Sequence, residues 1–353
     1  MNDGGANHGL GPRTDACVGS GGAVKLSIIV GTRNRASNVI ACLDSITAAC
    51  LRAAPAAAEV VIADNGSTDC TPTVLRSWAK ASPLPVQVVN EPQRGLARAQ
   101  NRALRQARGE LLAITDDDCR LHPEYVNDLL RHDRADDGGL VLRGGRVELG
   151  DAADLPLTIY TMPVSQRWSR SQRSARDHRI AGCLNGCNLV MRRGLIDRIG
   201  FFDERFGPGS YIGSGADSDF IYRAYLAGAT LEYVPDMTVF HFHGRRSVAE
   251  GNQVLQRYMI GNGALFVRYL FKHRDLCRVF YGDLREAALG IIRRRNTQSP
   301  PGLFTNSELL TCAALGAAKY AVMRPALLLR ACRGPLVAPT LALLCMAAAS
   351  AAA

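Results

Sequence analysis

A chain of 353 residues, of which 47% are hydrophobic and 21% are charged, has the composition of a folded globular protein and not that of a disordered one. Its length predicts one large α/β domain with an appended segment. Residues 241–353 contain 15 basic and 5 acidic residues, a difference that equals the net charge of +10 of the whole chain. This asymmetry favours an anionic partner, and we expect a membrane surface and no nucleic acid because no nucleic-acid-binding motif accompanies it.

The two ends of the chain differ from its middle. Residues 1–23 are rich in glycine, and we expect them to form a flexible tail. Residues 336–353 carry no charge, but Pro339 and many alanines make them a marginal membrane span. The eleven scattered cysteines include no CxxC pair, which is typical of reduced thiols in a cytoplasmic protein.

Short apolar runs alternate with helix-forming segments from residue 24 onward. The apolar runs predict buried strands at 25–30, 59–63, 86–89 and 110–115. The segments between them predict helices at 37–51, from about 70 to 78, and at 95–108. This rhythm predicts a doubly wound, mostly parallel sheet with helices on both faces.

Three adjacent carboxylates, Asp116, Asp117 and Asp118, follow the last of these runs. Buried side by side they would repel one another strongly, so they predict either exposure to solvent or a bound cation. Open α/β sheets bind their ligands at this edge, outside the carboxyl ends of the strands. An acidic turn is the alternative for an isolated triplet. The rest of the chain favours a functional site.

Several segments look like the successive motifs of glycosyltransferase family 2. They are KLSIIVGTRNR at 25–35, EVVIADNGSTD at 59–69, RGLARAQNRALRQARGELLAITDDDC at 94–119 and SGADSDF at 214–220. The resemblance implies the GT-A fold, a nucleotide-sugar donor and inverting transfer. It assigns residues 24–247 to the catalytic domain, with a nucleotide-binding half at 24–120 and an acceptor half at 121–247.

The resemblance also implies residues for the donor nucleotide. Thr32 and Arg33 would approach the nucleoside, and Asp64 would accept a hydrogen bond from the base. Gly95 begins a helix whose Arg98 would contact the base or the diphosphate. An ordinary surface position for Arg98 is the equally weighted alternative.

A divalent cation, Mg²⁺ or Mn²⁺, is implied by the acidic triplet. Asp116 and Asp118 match the family's D-x-D signature, while Asp117 stays open as an alternative because a triplet allows two registers. Asp118 would ligate the metal, and Asp116 would contact the ribose or the metal. His241 and His243 would point to the same side of a strand and lie near the metal or the diphosphate. Such an ion offsets the negative charge that grows on the leaving diphosphate.

The acceptor side is expected in the second half of the domain. Asp217 occupies the position of the family's general base, which takes the proton of the attacking hydroxyl. The family often has a glutamate where this chain has Ala216, so one supporting acid is absent. Asp219 is interpreted as a helix-terminal residue with a possible helper role, and Asn188 as a contact to the acceptor sugar.

Basic residues continue after the paired histidines. Arg245 and Arg246 could clasp phosphates. Residues 256–269 predict an aromatic, basic helix that lies either at a membrane interface or packed over the sheet. The segment 248–353 is therefore expected to be a helical, membrane-associated extension, either peripheral or inserted at its end.

The sequence thus favours an inverting glycosyltransferase at the cytoplasmic face of the membrane. It would use a UDP-, GDP- or dTDP-linked donor and a saccharide or lipid-linked acceptor in cell-envelope or extracellular polysaccharide synthesis. A sugar-phosphate nucleotidyltransferase is one alternative, but its pyrophosphate loop would need more than Gly31, Arg33 and Arg35. A non-catalytic sugar-nucleotide-binding scaffold is the other, and Asp217 disfavours it.

Overall fold

The computed structural model describes residues 24–53, 57–171, 180–270, 273–298 and 302–324. The expected tail at 1–23 and the uncharged stretch at 336–353 lie outside the described residues. The strands are β1 Leu26–Thr32, β2 Ala58–Asp64, β3 Val86–Asn90, β4 Leu111–Asp116, β5 Cys119–Leu121, β6 Val141–Leu149, β7 Gln166–Trp168, β8 Asn188–Arg192 and β9 Thr230–His241. The helices are α1 Val39–Arg52, α2 Thr71–Ala81, α3 Leu96–Gln106, α4 Tyr125–Arg134, α5 Arg193–Ile199, α6 Ala216–Leu226, α7 Val248–Tyr269, α8 Arg274–Ile292 and α9 Asn306–Met323.

One sheet runs through the described part of the chain in the order β3-β2-β1-β4-β8-β6-β9-β5, with β7 paired to β9. The first four strands pair in parallel, as the alternation of strand and helix predicts. Strand β8 then runs antiparallel to both β4 and β6, while β6 and β9 again pair in parallel. The predicted α/β class with a large, mostly parallel sheet is confirmed.

Helices cover both faces of the parallel half, which explains why its strands are mostly apolar. Neighbouring residues of β1 enter different apolar clusters: Ile29 packs with α3 and α6, whereas Ile28 and Val30 pack with α1 and α4. Because successive side chains of a strand point to opposite faces, each strand contributes to both clusters.

The helical extension is packed onto the catalytic part. Gly261 of α7 lies against Ser214, just before α6, and a Cβ at Gly261 would lie 3.0 Å from the Ser214 Oγ. Helices α7, α8 and α9 enclose a third apolar cluster that includes Phe266, Phe280 and Leu310. Of the two sequence interpretations of 256–269, the structure therefore supports the packed helix. In the described part of the chain, no helix combines the length and the hydrophobicity that crossing a membrane requires.

Candidate active site

A cavity of about 400 Å³, lined by both aspartates and arginines, opens at the carboxyl ends of β1, β2 and β4. Parallel strands bring the polar residues that follow them to one edge, where open α/β sheets bind ligands. The loop before α6, the end of β9 and one side of α7 complete the lining of the cavity. The predicted site residues that line this cavity are Thr32, Arg33, Asp116, Asp117, Asp118, Asp217 and His241.

The side chains of the triplet face different partners. The Thr32 hydroxyl donates to Asp117 Oδ2 at 2.6 Å, and the Arg35 Nε lies 3.6 Å from Asp117 Oδ1. Asp118 contacts Arg35 through Oδ2 at 3.3 Å and the His241 Nε2 through Oδ1 at 3.2 Å. Asp117 is therefore tied to the loop after β1, whereas Asp118 shares its surroundings with a histidine.

Charge accumulates in this cluster. Burial, together with the charge of Asp118, raises the pKa of Asp116 to about 7. Burial raises the pKa of Asp117 to about 6, against the hydrogen bond from Thr32. Burial also opposes ionisation of Asp118, but the contact with His241 holds its pKa below the usual value. A cation would relieve this crowding. The carboxylate oxygens of Asp116 and Asp118 suit Mg²⁺ or Mn²⁺, and the imidazole of His241 is a nitrogen donor beside them.

Thr158 determines which nitrogen of His241 faces the triplet. Its hydroxyl donates to the Leu157 carbonyl at 2.7 Å and lies 2.9 Å from His241 Nδ1. A hydroxyl has one proton to donate, so at this second contact it accepts a hydrogen bond from Nδ1–H. Burial opposes a charged ring, but the contact with Asp118 raises the pKa of His241, so without a metal Nε2–H donates to the Asp118 carboxylate. A metal at Nε2 would replace that proton, and Thr158 would remain the partner of the second ring nitrogen, which is the usual support of a metal-binding histidine.

Asp217, in the first turn of α6, lines the same cavity as the triplet. It is half-buried, and burial raises its pKa against the opposing effect of backbone N–H bonds. Gly186 leaves the space that this side chain occupies, since a Cβ there would lie 2.9 Å from Asp217 Oδ2. From α7, Tyr258 also lines the cavity.

Arginines without a carboxylate partner among the described residues also line the cavity, namely Arg94, Arg245 and Arg257. The Nη1 of Arg245 is buried and makes no hydrogen bond within the described part of the chain. Arg246 differs, because its guanidinium lies 3.2 Å from Asp154 Oδ1 and points away from the cavity lining. Of the two expected phosphate-binding arginines, Arg245 alone is therefore available to a ligand in the cavity.

The expectation for Arg98 is corrected. Its guanidinium is paired with Glu204 at 2.8 Å and is absent from the lining of the cavity, so it occupies an ordinary helix surface. Asp64 and Gly95 lie next to the lining residue Asn65, whose Oδ1 accepts from the Gly95 N–H at 2.8 Å. Neither lines the cavity itself, and their roles towards the nucleotide stay predictions.

Two residues assigned to the acceptor side are also corrected. Asn188 is fully buried and its Oδ1 accepts from the Tyr125 hydroxyl at 2.7 Å, so it joins strands and does not face the cavity. Asp219 is fully buried as well, where it accepts from the Tyr269 hydroxyl at 2.6 Å and pairs with the Arg268 Nε at 2.8 Å. Both side chains stabilise the fold, because their polar atoms are already used.

His243 does not join His241 at the metal position. Strand β9 ends at His241, so the alternation that would place both rings on one face does not continue. The His243 Nε2 lies 3.1 Å from the Leu155 carbonyl, and its Nδ1 accepts from the Arg245 N–H at 3.1 Å. With both ring nitrogens engaged, His243 is corrected from a metal ligand to a support of the loop that carries Arg245.

Several lining residues had no counterpart in the sequence prediction, namely Arg94, Thr158, Arg257 and Tyr258. Arg257 and Tyr258 belong to α7, whose aromatic and basic pattern predicted a surface and gave no signal of a cavity. Thr158 has a left-handed backbone with φ of 56° in a loop. A threonine rarely adopts this conformation, and such strain concentrates at functional sites, but it is invisible in the sequence.

The fold, with its cavity at the carboxyl ends of the parallel strands, is that of an α/β glycosyltransferase of the GT-A type. The chain resembles the crystal structure of S. aureus TarS 1-349 in complex with UDP, with a TM-score of 0.53 and 18% identity over 92% of this chain and 88% of that one. The complex of the same protein with UDP-GlcNAc gives a TM-score of 0.52 and 16% identity, over 92% and 89% of the two chains. At these identities the likeness concerns the fold.

Residues 27–200 match the family model Glycosyl transferase family 2, and the chain therefore carries a glycosyltransferase domain of this family. Glycosyltransferase AglE of Haloferax volcanii is 27% identical over 72% of this chain and 77% of that protein. The uncharacterized glycosyltransferase YfnE of Bacillus subtilis is 35% identical over 62% and 51%, and the succinoglycan biosynthesis protein ExoM of Rhizobium meliloti is 25% identical over 51% and 55%. The family predicted from the motifs is confirmed, and it includes relatives in polysaccharide biosynthesis.

Proposed function

We propose that this glycosyltransferase is a metal-dependent, inverting enzyme that moves a sugar from a nucleotide donor to an acceptor hydroxyl. The observation that carries the proposal is that one cavity holds both a set of metal-binding side chains and a carboxylate that can act as a base. Asp116, Asp118 and His241 line it together with Asp217. Inversion would need the base beside the acceptor hydroxyl, since that hydroxyl attacks from the face of the sugar opposite the leaving group.

The donor would lie along the ends of β1 and β4. Thr32 and Arg33 lie at the end of β1, where the nucleoside is expected, and Arg245 has a buried donor available for a phosphate oxygen. Asp116, Asp118 and His241 would hold Mg²⁺ or Mn²⁺. When bound, such an ion supplies positive charge to the diphosphate as it leaves.

Asp217 would accept the proton of the acceptor hydroxyl. Its raised pKa suits this work, because a carboxylate with a higher pKa is a stronger base. The absent glutamate at Ala216 does not remove the base. Tyr258 lines the same cavity and would contact an acceptor from α7.

We assign the acceptor to a saccharide or lipid-linked saccharide at an anionic, cytoplasmic membrane face. A relative named for succinoglycan biosynthesis supports a polysaccharide product, and the basic excess of residues 241–353 supports peripheral attachment. Attachment of this kind is screened by salt. Co-sedimentation of the full chain with anionic vesicles at low salt, lost at high salt and absent with neutral vesicles, is expected. Failure to sediment with either vesicle would refute the membrane assignment.

Asp217→Asn tests the proposed base. The asparagine keeps the size and most hydrogen bonds of the side chain but cannot take a proton. With whichever UDP-, GDP- or dTDP-sugar the wild type binds, we expect turnover to fall about 10²–10⁴-fold while donor affinity is unchanged. Asp197→Asn, at an exposed position of α5, is the matched control and should behave as wild type.

Assays of turnover and donor binding with the wild type also separate this proposal from a nucleotidyltransferase and from a non-catalytic scaffold. A nucleotidyltransferase would release pyrophosphate from a nucleoside triphosphate and a sugar phosphate. A non-catalytic scaffold would bind the donor without turnover in the wild type. Transfer by Asp217→Asn at a rate near that of the wild type would show that another group is the base.

A further inference from the structure

A second group of metal-binding side chains lies beside the proposed donor-metal position. Cys119 of β5, Cys187 just before β8, and His241 at the end of β9 are all buried, and their ligand atoms lie within 4.8 Å of one another. The register of the sheet makes this group, because Cys119 and His241 face each other as antiparallel partners. None of the motifs in the sequence pairs these three residues.

We propose that Cys119, Cys187 and His241 form a binding site for a thiophilic divalent ion of the zinc class. Two sulfurs and one imidazole are a ligand set that selects zinc over Mg²⁺ and Mn²⁺, which prefer oxygen. Asp118, whose Oδ1 lies 3.2 Å from the His241 Nε2, can supply the fourth ligand. The ion can enter through the cavity at the carboxyl ends of the strands, since Cys187 and His241 line it.

Binding would displace protons from both thiols. Both are free, buried cysteines whose sulfurs lie next to each other. Each releases its proton to solvent when the ion binds, as thiolate ligation requires.

The site would regulate the enzyme through the residue that the two ions share. An ion held by the sulfurs takes the imidazole of His241 and the carboxylate of Asp118 away from the donor metal. Zinc at low concentration would then inhibit an enzyme that Mg²⁺ or Mn²⁺ supports. Inhibition by zinc rests on the proposed function, whereas the zinc site itself does not. The site can be tested without donor and without turnover.

Cadmium titration of the full-length protein tests the site, because Cd²⁺ bound to thiolate has an ultraviolet charge-transfer band that oxygen ligands do not give. We expect the wild type to develop this band with one equivalent of Cd²⁺, and Zn²⁺ but not Mg²⁺ to abolish it. Cys187→Ser and Cys119→Ser should each lose the band at that concentration. Cys183→Ser, at a buried cysteine outside the group, should keep it.

A band that survives either Cys187→Ser or Cys119→Ser, or that disappears in Cys183→Ser, would overturn the proposal. X-ray absorption at the zinc edge of the wild type with one equivalent of Zn²⁺ gives an answer that needs no folded variant. Two sulfur ligands are expected, and a shell of nitrogen and oxygen alone would refute the site.

Discussion

Gly186 and Asp217 show how a single missing Cβ shapes the proposed base. A methyl group at 186 would lie 2.8 Å from the Asp217 Cβ and 2.9 Å from its Oδ2, closer than side chains pack. The carboxylate or the segment before β8 would have to move. The position of the base in the cavity therefore depends on a glycine 31 positions earlier in the chain.

Gly186→Ala should consequently impair turnover more than stability. A displacement of about 1 Å at a reacting group can cost about 10²-fold in rate, and we expect a loss of roughly that size with donor affinity little changed. Gly182→Ala is the matched control, because a Cβ at 182 meets nothing within 4 Å. Steady-state kinetics of both variants measure the effect. Equal activity of the two would mean that Asp217 tolerates the shift or is not the base.

The titration of Asp116 gives a second prediction at this scale. Its pKa is raised to about 7 in the folded chain by burial and the charge of Asp118, whereas an unfolded aspartate titrates near 3.9. Between these values the folded state binds the extra proton, so the free energy of unfolding falls as pH rises from about 4 to 7. Removing this carboxylate should therefore stabilise the metal-free protein at high pH.

Urea unfolding in EDTA measures this directly. Asp116→Asn should exceed the wild type by roughly 1–2 kcal/mol at pH 8, a figure reduced for the partial exposure of the side chain, and should match it at about pH 3.5, below both pKa values. Asp197→Asn should show no such pH dependence. A difference between Asp116→Asn and wild type that is equal at both pH values would contradict the raised pKa.

The sequence predicts a site residue correctly where a motif specifies its chemistry. It fails where the direction of the side chain decides whether that residue faces the cavity or the core. Asp116, Asp118, Asp217 and His241 follow from motif positions and line the cavity. Asp219 matches a motif equally well, yet a tyrosine and two arginines occupy its carboxylate. Arg223 lies four residues further along the same helix, but Tyr269 lies 50 residues away, and no local pattern predicts that contact or the one with Arg268 beside it.

At the scale of elements, two glycines decide how the helical extension packs. A Cβ at Gly263 of α7 would lie 2.0 Å from the Ala313 carbonyl, and one at Gly316 of α9 would lie 1.9 Å from the Ile260 carbonyl. The two helix backbones approach so closely that neither position has room for a side chain. Because Arg257 and Tyr258 project from α7 into the cavity, this contact also supports the active site.

Gly316→Ala should destabilise the protein although alanine favours a helix. Overpacking of this kind costs about 1–3 kcal/mol, which exceeds the gain of roughly 1 kcal/mol that alanine gives over glycine in a helix. Gly282→Ala in α8 is the control, since a Cβ there meets nothing within 4 Å, and it should stabilise instead. Urea unfolding of both variants measures the signs. A stabilised Gly316→Ala would mean that α7 and α9 are less closely packed.

The strands of the parallel half were predictable, and the order of the others was not. Strands β1 to β4 are apolar runs between turns, and each lies within two residues of its predicted bounds. The place of β8 between β4 and β6 depends on antiparallel pairing across a long separation in the chain. Pairing between distant strands leaves no periodic pattern in the sequence. The pairing of β5 with β9, which brings Cys119 opposite His241, is of the same kind, so only the structure reveals it.

In the molecule as a whole, the basic excess and part of the lining of the cavity come from the same region of the chain. The basic excess lies after residue 240, in the part of the chain that also supplies Arg245, Arg257 and Tyr258 to the cavity. A partner attracted by these basic residues would therefore lie near α7, which lines the cavity. The expected domain boundary at residue 247 reflects a change in sequence pattern. Helix α7 lies after this boundary and nevertheless lines the cavity.

Donor binding with and without metal tests the central claim most directly. Calorimetry of the full-length protein with UDP-, GDP- and dTDP-sugars should find one donor that binds in Mn²⁺ or Mg²⁺ and is lost in EDTA. Asp118→Ala should remove this metal-dependent affinity without unfolding the protein, and Asp197→Ala should not. Donor binding of equal strength in EDTA and in Mn²⁺, or an unchanged affinity in Asp118→Ala, would contradict a metal-assisted glycosyltransferase site at the end of β4.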